Sequence, residues 1–222
     1  MKKIIVAIDG PAGAGKSTVA KRLAKELGYT YMDTGAMYRA FALKARREGI
    51  DLDNESALRA SLAGTNVELM EKDGQPKVLL DGRDVTSEIR APEMSQWASK
   101  ISALKPVRER MVELQRALGT RGGVVVEGRD IGTVVFPGAE VKIFLTAGTQ
   151  ERGLRRFAEL QAHGKDVTLE ETLGEMKQRD RRDQERAVAP LRQAEDAVAV
   201  DSTGMSVDQV VEKIMKEIKK SI

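Results

Sequence analysis

Short apolar runs alternate along this chain with longer segments in which apolar residues recur every three or four positions. The runs are short enough for buried strands, and the longer segments have the spacing of amphipathic helices. The predicted strands are residues 4–8, 29–33, 124–127, 140–145 and 197–200. The predicted helices are residues 18–27, a helix opening at Thr34, residues 54–63, 92–103, 105–119, 149–163 and 168–187, and a last helix behind Ser206. This alternation predicts an α/β fold with a mainly parallel five-stranded sheet and helices on both faces.

The stretch from residue 65 to residue 90 breaks the alternation. Two predicted strands, residues 66–70 and 77–80, flank Asp73-Gly74, a dipeptide typical of tight hairpin turns. Asp81-Gly82 supplies a second turn behind them. Because helical spacing resumes at residue 92, we interpret this stretch as a small antiparallel β element inserted into one domain that spans residues 1–222.

Single residues at helix ends and on helix faces have structural interpretations. Thr34, Asn54 and Ser206 are candidate N-caps, because their side-chain oxygens can accept from the free N–H groups of a first turn. His163, which precedes Gly164, is expected to cap a helix C-terminus. Trp97 lies in a predicted helix, where an aromatic ring more often packs than stacks on a base.

Composition narrows the class of protein. The 222 residues suffice for a full core, and 41% hydrophobic with 32% charged residues is ordinary for a globular domain. Net charge is only +3, from 37 basic and 34 acidic residues, and aromatic content is 4%, so nucleic acid is not an expected partner. Cysteine is absent, which excludes disulfides and thiolate metal sites. The N-terminal apolar run ends at Asp9, too short for a secretion signal, and no run could span a membrane. We expect a cytoplasmic monomer without a membrane partner.

The chemistry-bearing motif stands directly behind the first strand. Residues 10–17 read G-P-A-G-A-G-K-S, the G-x-x-x-x-G-K-[ST] pattern between a predicted strand and a predicted helix. Its glycines let the backbone curve around an anion, and the helix start adds free N–H groups. Lys16 can neutralise the β- and γ-phosphates, and the Ser17 hydroxyl can bind Mg²⁺. The sequence predicts a nucleoside triphosphate site of the P-loop type, rather than a glycine-rich turn without a ligand. Its residues are Gly10, Gly13, Ala14, Gly15, Lys16, Ser17 and Thr18.

Residues outside the phosphate loop distinguish between the classes of P-loop protein. The chain has no N-K-x-D segment, which a GTPase uses to read its base. Arginines recur instead near predicted strand ends, as expected where a transferring and an accepting phosphate must be held together. Arg179, Asp183 and Arg186 share one face of a predicted helix. This face could bind substrate, or it could be solvated and carry an ordinary ion pair.

Three motifs identify a family. They are D-T-G-A-M-Y-R at residues 33–39, E-G-R-D-I-G-T-V-V-F-P at 127–137, and R-D-R-R-D at 179–183, which runs on to R-A-V-A-P-L at 186–191. With D-S-T at 201–203 and the inserted hairpin, they resemble the bacterial cytidylate kinases over nearly the whole chain. The resemblance implies transfer of the γ-phosphoryl group of MgATP to CMP or dCMP. It also implies a P-loop three-layer core, a monophosphate-binding part at 34–120 and a short lid at 151–187.

The resemblance also implies residue roles. Thr34, Arg108 and Asp130 would face the cytosine, where a carboxylate suits the exocyclic amine that uracil lacks. Ser99, Arg179 and Asp183 would lie near the pentose. The acceptor phosphate would be held by Arg39, Arg129 and Arg186, the catalytic residues beside Lys16, with Tyr38 also lining the substrate site. Arg152, Arg155 and Arg156 match the family's arginine-rich lid, and the last two would contact ATP. Glu127 stands where an aspartate is common, so its link to Mg²⁺ is left open.

Two alternatives remain at this point. One is another P-loop kinase with a small acceptor, of the shikimate or dephospho-coenzyme A type, although those lack the motifs at 33–39 and 186–190. The other is a nucleotide-binding switch without transfer activity. Dependence of ADP release on CMP separates the last alternative from a kinase.

Overall fold

A computed structural model describes residues 3–72, 75–162 and 164–221. Its strands are β1 (Ile5–Asp9), β2 (Thr30–Asp33), β3 (Val67–Lys72), β4 (Gln75–Leu80), β5 (Arg83–Asp84), β6 (Val124–Gly128), β7 (Val141–Thr146) and β8 (Val198–Asp201). Its α-helices are α1 (Lys16–Leu27), α2 (Thr34–Arg47), α3 (Glu55–Ala63), α4 (Pro92–Ile101), α5 (Lys105–Gly119), α6 (Thr149–Ala162), α7 (Leu169–Glu185) and α8 (Val207–Ser221). A 3-10 turn covers Glu88–Arg90, and a π-helical turn covers Ile131–Val135.

The chain divides into two compact units. The first comprises Met1–Met32 with Gly119–Ile222, and the second is the continuous stretch Asp33–Leu118. Among the described residues, no helix is both long and apolar enough to cross a membrane.

A five-stranded sheet in the order β2-β6-β1-β7-β8 forms the centre of the first unit. β1 runs parallel to both of its neighbours, β6 and β7, and β8 runs parallel to β7. Val6, Ile8, Val125 and Ile143 are buried, as expected of strands covered on both faces, and α1 and α8 contribute Leu23 and Ile214 to the same apolar cluster. The predicted mainly parallel α/β fold is confirmed.

The second unit has its own apolar cluster around α2. Met37 and Phe41, on the inner side of that helix, are fully buried. The antiparallel sheet β3-β4-β5 is the predicted insertion, with Val67 opposite Leu80. The predicted turn Asp73-Gly74 lies outside the described residues. Trp97 packs against the apolar cluster, which confirms its structural interpretation.

Helix starts differ from expectation in two places. α1 begins at Lys16 rather than Thr18, because Gly15 takes a left-handed N-cap conformation. Thr34 is not an N-cap: Asp33 holds that position, and its carboxylate accepts from the Ala36 N–H at 2.9 Å. An aspartate is at least as good a cap as a threonine, so the adjacent carboxylate takes the role.

Two other predicted N-caps are confirmed, whereas the predicted helices 92–103 and 168–187 end earlier, at Ile101 and Glu185. Asn54 caps α3 by accepting from the Ala57 N–H. Ser206 and Gln209 exchange backbone-to-side-chain hydrogen bonds at the start of α8. The predicted cap at His163 lies outside the described residues.

Candidate functional site

The glycine-rich loop between β1 and α1 has the shape of an anion cradle. Gly10 has φ +150°, and a Cβ there would lie 1.9 Å from the carbonyl oxygen of Leu145, so only glycine fits. At Gly13, with φ +72°, a Cβ would lie 2.8 Å from the Arg152 carbonyl oxygen. Ser17 and Thr18 are exposed in the first turn of α1. The loop therefore leads into a helix start whose positive dipole end favours an anion.

Lys16 is the buried cation of this loop. Its Nζ donates to the carbonyl oxygen of Pro11 at 2.6 Å, and the side chain is almost excluded from solvent. Burial, together with the nearby charges of Arg129 and Arg179, lowers its pKa to about 7, and the carboxylate of Glu127 acts against this lowering. These interactions place two of the predicted substrate arginines close enough to act on the loop lysine. A polyanion would relieve this crowding of positive charge.

Arg129 and Asp183 form the centre of the arginine cluster. Arg129 Nε donates to the Asp183 carboxylate at 2.8 Å, and both side chains are largely buried. Burial opposes the charge of Asp183, but Arg129, Arg179 and Arg186 together lower the pKa of this carboxyl. The solvated interpretation of this face of α7 is therefore wrong at Asp183, whose side chain is 5% exposed.

Asp130, the residue after Arg129, forms a second ion pair of the cluster with Arg186. The Arg186 guanidinium donates to the Asp130 carboxylate at 3.2 Å, and the two side chains are 5% and 7% exposed. Arg186 Nε also donates to the Ala189 carbonyl oxygen at 2.6 Å. Ala189 has φ +51°, unusual for a residue with a Cβ, and the Leu191 N–H returns to the Asp183 carbonyl oxygen. The R-A-V-A-P-L motif is thus a turn that holds Arg186 beside Asp130.

Asp9 is a site residue that sequence reasoning missed. Its two carboxylate oxygens accept from the Ile131 and Gly132 N–H groups, at 2.8 and 2.7 Å. These residues open the π-helical turn that follows Arg129 and Asp130. Burial raises the pKa of Asp9 to about 6, although both backbone N–H groups act against that rise. Asp9 ends β1 and precedes the first loop glycine, a position that could have marked it, since ligands bind at the carboxyl ends of parallel strands.

Glu127 and Ser202 are further buried polar groups near the loop. The Tyr31 hydroxyl donates to the Glu127 carboxylate at the end of β6. Arg155 donates to the hydroxyl and the carbonyl oxygen of Ser202, at 3.1 and 3.0 Å. The Ser202 hydroxyl also lies within hydrogen-bonding distance of the Ala14 carbonyl oxygen, at 3.4 Å. The D-S-T motif therefore links Arg155 to the phosphate loop.

The three arginines of the predicted lid differ in their surroundings. Arg156 pairs with Glu159 one turn along α6 and is partly exposed, as is Arg155. Arg152 is buried and donates to the carbonyl oxygens of Ala147 and Ala12. Arg152 is thus part of the protein interior, unlike the other two.

The second unit holds the remaining predicted residues. Arg39 pairs with Asp33 at 2.9 Å, and its buried Nε has no hydrogen-bond partner among the residues that the structure describes. Arg108 is buried with its guanidinium carbon 5.8 Å from the centre of the Tyr38 ring. Within the same described ranges, the buried hydroxyl of Ser99 also lacks a partner. Thr34 is buried in the first turn of α2.

The predicted residues thus fall into two groups. Those of the first unit come together around the phosphate loop: Lys16, Arg129, Asp130, Arg179, Asp183 and Arg186. Those of the second unit are Thr34, Tyr38, Arg39, Ser99 and Arg108, all on α2, α4 and α5. A buried guanidinium N–H and a buried hydroxyl without described partners are groups that a polar ligand could satisfy.

Solved structures resemble this one in fold. An uncharacterized protein from Eubacterium ventriosum matches with a TM-score of 0.53 at 15% identity, over 98% of this chain and 99% of that chain. A protein from Thermus thermophilus matches with a TM-score of 0.50 at 19% identity, over 100% of this chain and 99% of that chain. At these identities the likeness concerns the fold alone.

Sequence comparisons are more specific. A cytidylate kinase from Syntrophotalea carbinolica is 53% identical over 217 residues, which are 98% of this chain and 92% of that protein. One from Citrifermentans bemidjiense is 51% identical over 220 residues, 99% of this chain and 94% of that protein. The cytidylate kinase family model matches residues 6–220. The chain therefore belongs to the cytidylate kinase family.

Proposed function

We propose that this chain transfers the γ-phosphoryl group of ATP to CMP or dCMP, giving ADP and CDP or dCDP. The observation that carries the proposal is the family membership over residues 6–220. The buried lysine and the arginine cluster beside the phosphate loop agree with it, because transfer between two phosphates requires fixed cations.

The triphosphate is assigned to the loop between β1 and α1. Two glycines there leave no room for a side chain, so backbone N–H groups can approach an anion closely. Lys16 supplies the charge, and its desolvation lowers its pKa in the absence of a ligand. Arg155 and Arg156 on α6 are assigned to ATP as well, since both keep partial exposure. The full set is Gly10, Gly13, Ala14, Gly15, Lys16, Ser17, Thr18, Arg155 and Arg156.

Mg²⁺ fits the oxygen donors of this unit. Magnesium ions in kinases are bound through one or two protein oxygens, substrate phosphates and several waters. The exposed Ser17 hydroxyl in the first turn of α1 is the protein donor that we assign to it. When bound, Mg²⁺ would neutralise charge on the β- and γ-phosphates. We leave Glu127 out of this assignment, because its carboxylate already accepts from Tyr31.

The acceptor phosphate is assigned to Arg39, Arg129 and Arg186. Arginine presents a planar fork that binds phosphate with two hydrogen bonds. In the first unit, Asp183 pairs with Arg129 and Asp130 pairs with Arg186. In the second unit, Asp33 pairs with Arg39. With Lys16, these arginines are the proposed catalytic residues, and they act by position and charge. No strong general base is needed, because the transition state is loose.

The nucleoside is assigned to the remaining residues. Asp130, Thr34 and Arg108 are proposed to read the cytosine, and Ser99, Arg179 and Asp183 to contact the pentose, with Tyr38 beside them. Residues 34–120 are accordingly the proposed monophosphate-binding part, and 151–187 the proposed lid. We propose a monomer, with small-molecule nucleotides as its only substrates.

A coupled assay of ADP release tests the function. Purified protein with MgATP should release ADP rapidly with CMP or dCMP, much more slowly with UMP, and hardly at all without acceptor. Shikimate and dephospho-coenzyme A serve as controls for the alternative P-loop kinases. Release that is independent of CMP, or that responds to a different acceptor, would contradict the proposal.

A further inference from the structure

One peptide group of the phosphate loop is held at both ends. The carbonyl oxygen of Pro11 accepts from Lys16 Nζ at 2.6 Å, and the Ala12 N–H of the same peptide donates to the Asp180 carboxylate at 3.1 Å. A peptide group is planar, and in the trans form its C=O and N–H point in opposite directions. The orientation that Asp180 imposes on the N–H therefore fixes the carbonyl that receives Lys16.

The next peptide group of the loop is held from the same side. Arg152 Nη1 donates to the Ala12 carbonyl oxygen at 2.8 Å and to the second oxygen of Asp180 at 2.5 Å. Arg152 Nε donates to the carbonyl oxygen of Ala147, which follows β7. One guanidinium thus ties the loop, the end of the sheet and Asp180 together.

These contacts join the phosphate loop to both helices of the proposed lid. Arg152 lies on α6 and Asp180 on α7, and their side chains are 9% and 12% exposed. Beside them, a Cβ at Gly13 would meet the Arg152 backbone and the end of the Met176 side chain, at 2.8 and 3.0 Å. The base of the α6–α7 segment is therefore packed on the loop, with its ion pair bonded to loop backbone.

We propose that Asp180 and Arg152 are positioning residues which hold the Pro11–Ala12 peptide, and through it Lys16, in the orientation that receives the triphosphate. The inference rests on the proposed kinase function and adds a role for two residues that belong to neither assigned binding set. Arg152 thereby differs from Arg155 and Arg156, the lid arginines assigned to ATP, because its described donors are directed to Ala147, Ala12 and Asp180.

Variants that remove the contacts of Asp180 and Arg152 to different extents test the positioning role. Asp180→Asn keeps an oxygen for the Ala12 N–H but loses the charge that pairs with Arg152. Asp180→Leu loses both the oxygen and the charge while it keeps the same branched arrangement of side-chain heavy atoms. Arg152→Lys keeps the charge, but all its donors lie on one nitrogen, so it lacks the extended fork by which Arg152 reaches Ala147 from Nε and Ala12 and Asp180 from Nη1. Arg181→Gln is the matched control, because Arg181 is the next residue of α7 and, among the described residues, pairs with Glu185 at an exposed position.

We expect KM for ATP to rise about fivefold in Asp180→Asn and by more than twentyfold in Asp180→Leu, with KM for CMP changed less than twofold. The KM for ATP of Arg152→Lys should lie between those of the two Asp180 variants, and the KM values of Arg181→Gln should match those of the wild type. Equal changes in both KM values, or a lowered melting temperature with KM for ATP unchanged, would show that the pair only stabilises the fold and would overturn the proposal.

Binding measurements make the outcome independent of turnover. Calorimetric titration with a non-hydrolysable ATP analogue should show affinities that fall in the order in which KM for ATP rises. If Asp180→Leu does not fold, Arg152→Lys is used for this measurement instead. A wild type that binds the analogue but never phosphorylates CMP would contradict the proposed function alone. Equal analogue affinities in folded variants would contradict the positioning role alone.

Discussion

The Asp183 carboxylate accepts a hydrogen bond of 2.8 Å from Arg129 Nε, although 54 positions separate the two residues. Asp183 lies on α7 one turn after Arg179, whereas Arg186, predicted on the same helix face, follows the end of α7 in extended conformation. Arg129, Arg179 and Arg186 all lower the pKa of Asp183 against the opposing effect of burial. This carboxylate therefore compensates a concentration of positive charge that the substrate phosphates are proposed to share.

Asp183→Ala should lower the free energy of unfolding by about 3 kcal/mol or more, because it leaves Arg129 buried without its counter-ion. Urea unfolding at neutral pH measures the loss, and Asp183→Asn, which keeps a neutral acceptor, should lose less. If Asp183 also contacts the sugar, kcat/KM for CMP and for dCMP should fall by different factors. An unchanged unfolding free energy would mean that the pair does not hold in solution.

Lys16→Ala should reduce the transfer rate by a factor of about 10² to 10³ or more, as expected when a fixed charge at the reacting group is lost. The fold should persist, since burial already disfavours the charged form of this side chain. Circular dichroism and the coupled assay measure the two effects. Lys25→Ala, at an exposed position of the same helix, is the control and should keep its activity. Normal turnover in Lys16→Ala would refute the triphosphate assignment.

Asp130→Ala should lower kcat/KM for CMP more than for UMP, by about 1–3 kcal/mol, or roughly 5- to 150-fold. UMP should also lose some efficiency, because Arg186 loses a partner 3.2 Å away. Arg186→Ala provides the comparison and should reduce both acceptors by similar factors. Equal losses for both acceptors in Asp130→Ala would assign Asp130 to phosphate positioning instead of base selection.

Asp9 should make stability depend on pH in an unusual direction. Burial raises its pKa from 3.8 to about 6 in the native state, so the native protein binds more protons than the unfolded chain between these values. The contribution of Asp9 to the free energy of unfolding therefore falls as pH rises through this window. Asp9→Asn, which cannot titrate, should lack that decline, and urea unfolding at pH 4.5 and pH 7 would reveal the difference.

Asp183 is the opposite case and serves as the comparison. Its native pKa is lowered, so its contribution should be present at neutral pH and lost as the pH falls below the ordinary range of a carboxyl. Asp183→Asn should accordingly reduce stability at neutral pH more than in acid. If Asp9→Asn and Asp183→Asn showed the same pH trend, the assigned pKa of Asp9 would be wrong.

Periodicity and local motifs were sufficient to predict the strands of the main sheet, most of the helices and the phosphate loop. The apolar runs mark strands because parallel strands are buried on both faces, and Asn54 caps α3 through a contact with its own next turn. The placement of Lys16 also follows from local sequence, since a glycine-rich turn between strand and helix leaves few alternatives.

Features set by distant contacts were not predictable in the same way. Residues 131–135 read I-G-T-V-V, which resembles a strand, yet they form a π-helical turn whose first N–H groups bind Asp9, more than 120 positions earlier. The roles of Asp180 and Arg152 likewise depend on loop backbone far away in sequence. The sequence shows that these side chains are charged, but only the fold shows which distant group each of them contacts.

The register of β1 has a consequence for the order of folding. Ile5 is paired with Val124 and Val6 with Val141, so the strand that carries the phosphate loop lacks its first neighbour until β6 has been synthesised and its second until β7 has been synthesised. The stretch from Asp33 to Leu118 is continuous and has its own apolar cluster. During translation the inserted unit can therefore acquire structure first. β1 and the phosphate loop, although synthesised earlier, can be incorporated into the sheet only after β6 and β7 have been synthesised. The ability to bind ATP would then report that synthesis has passed β7.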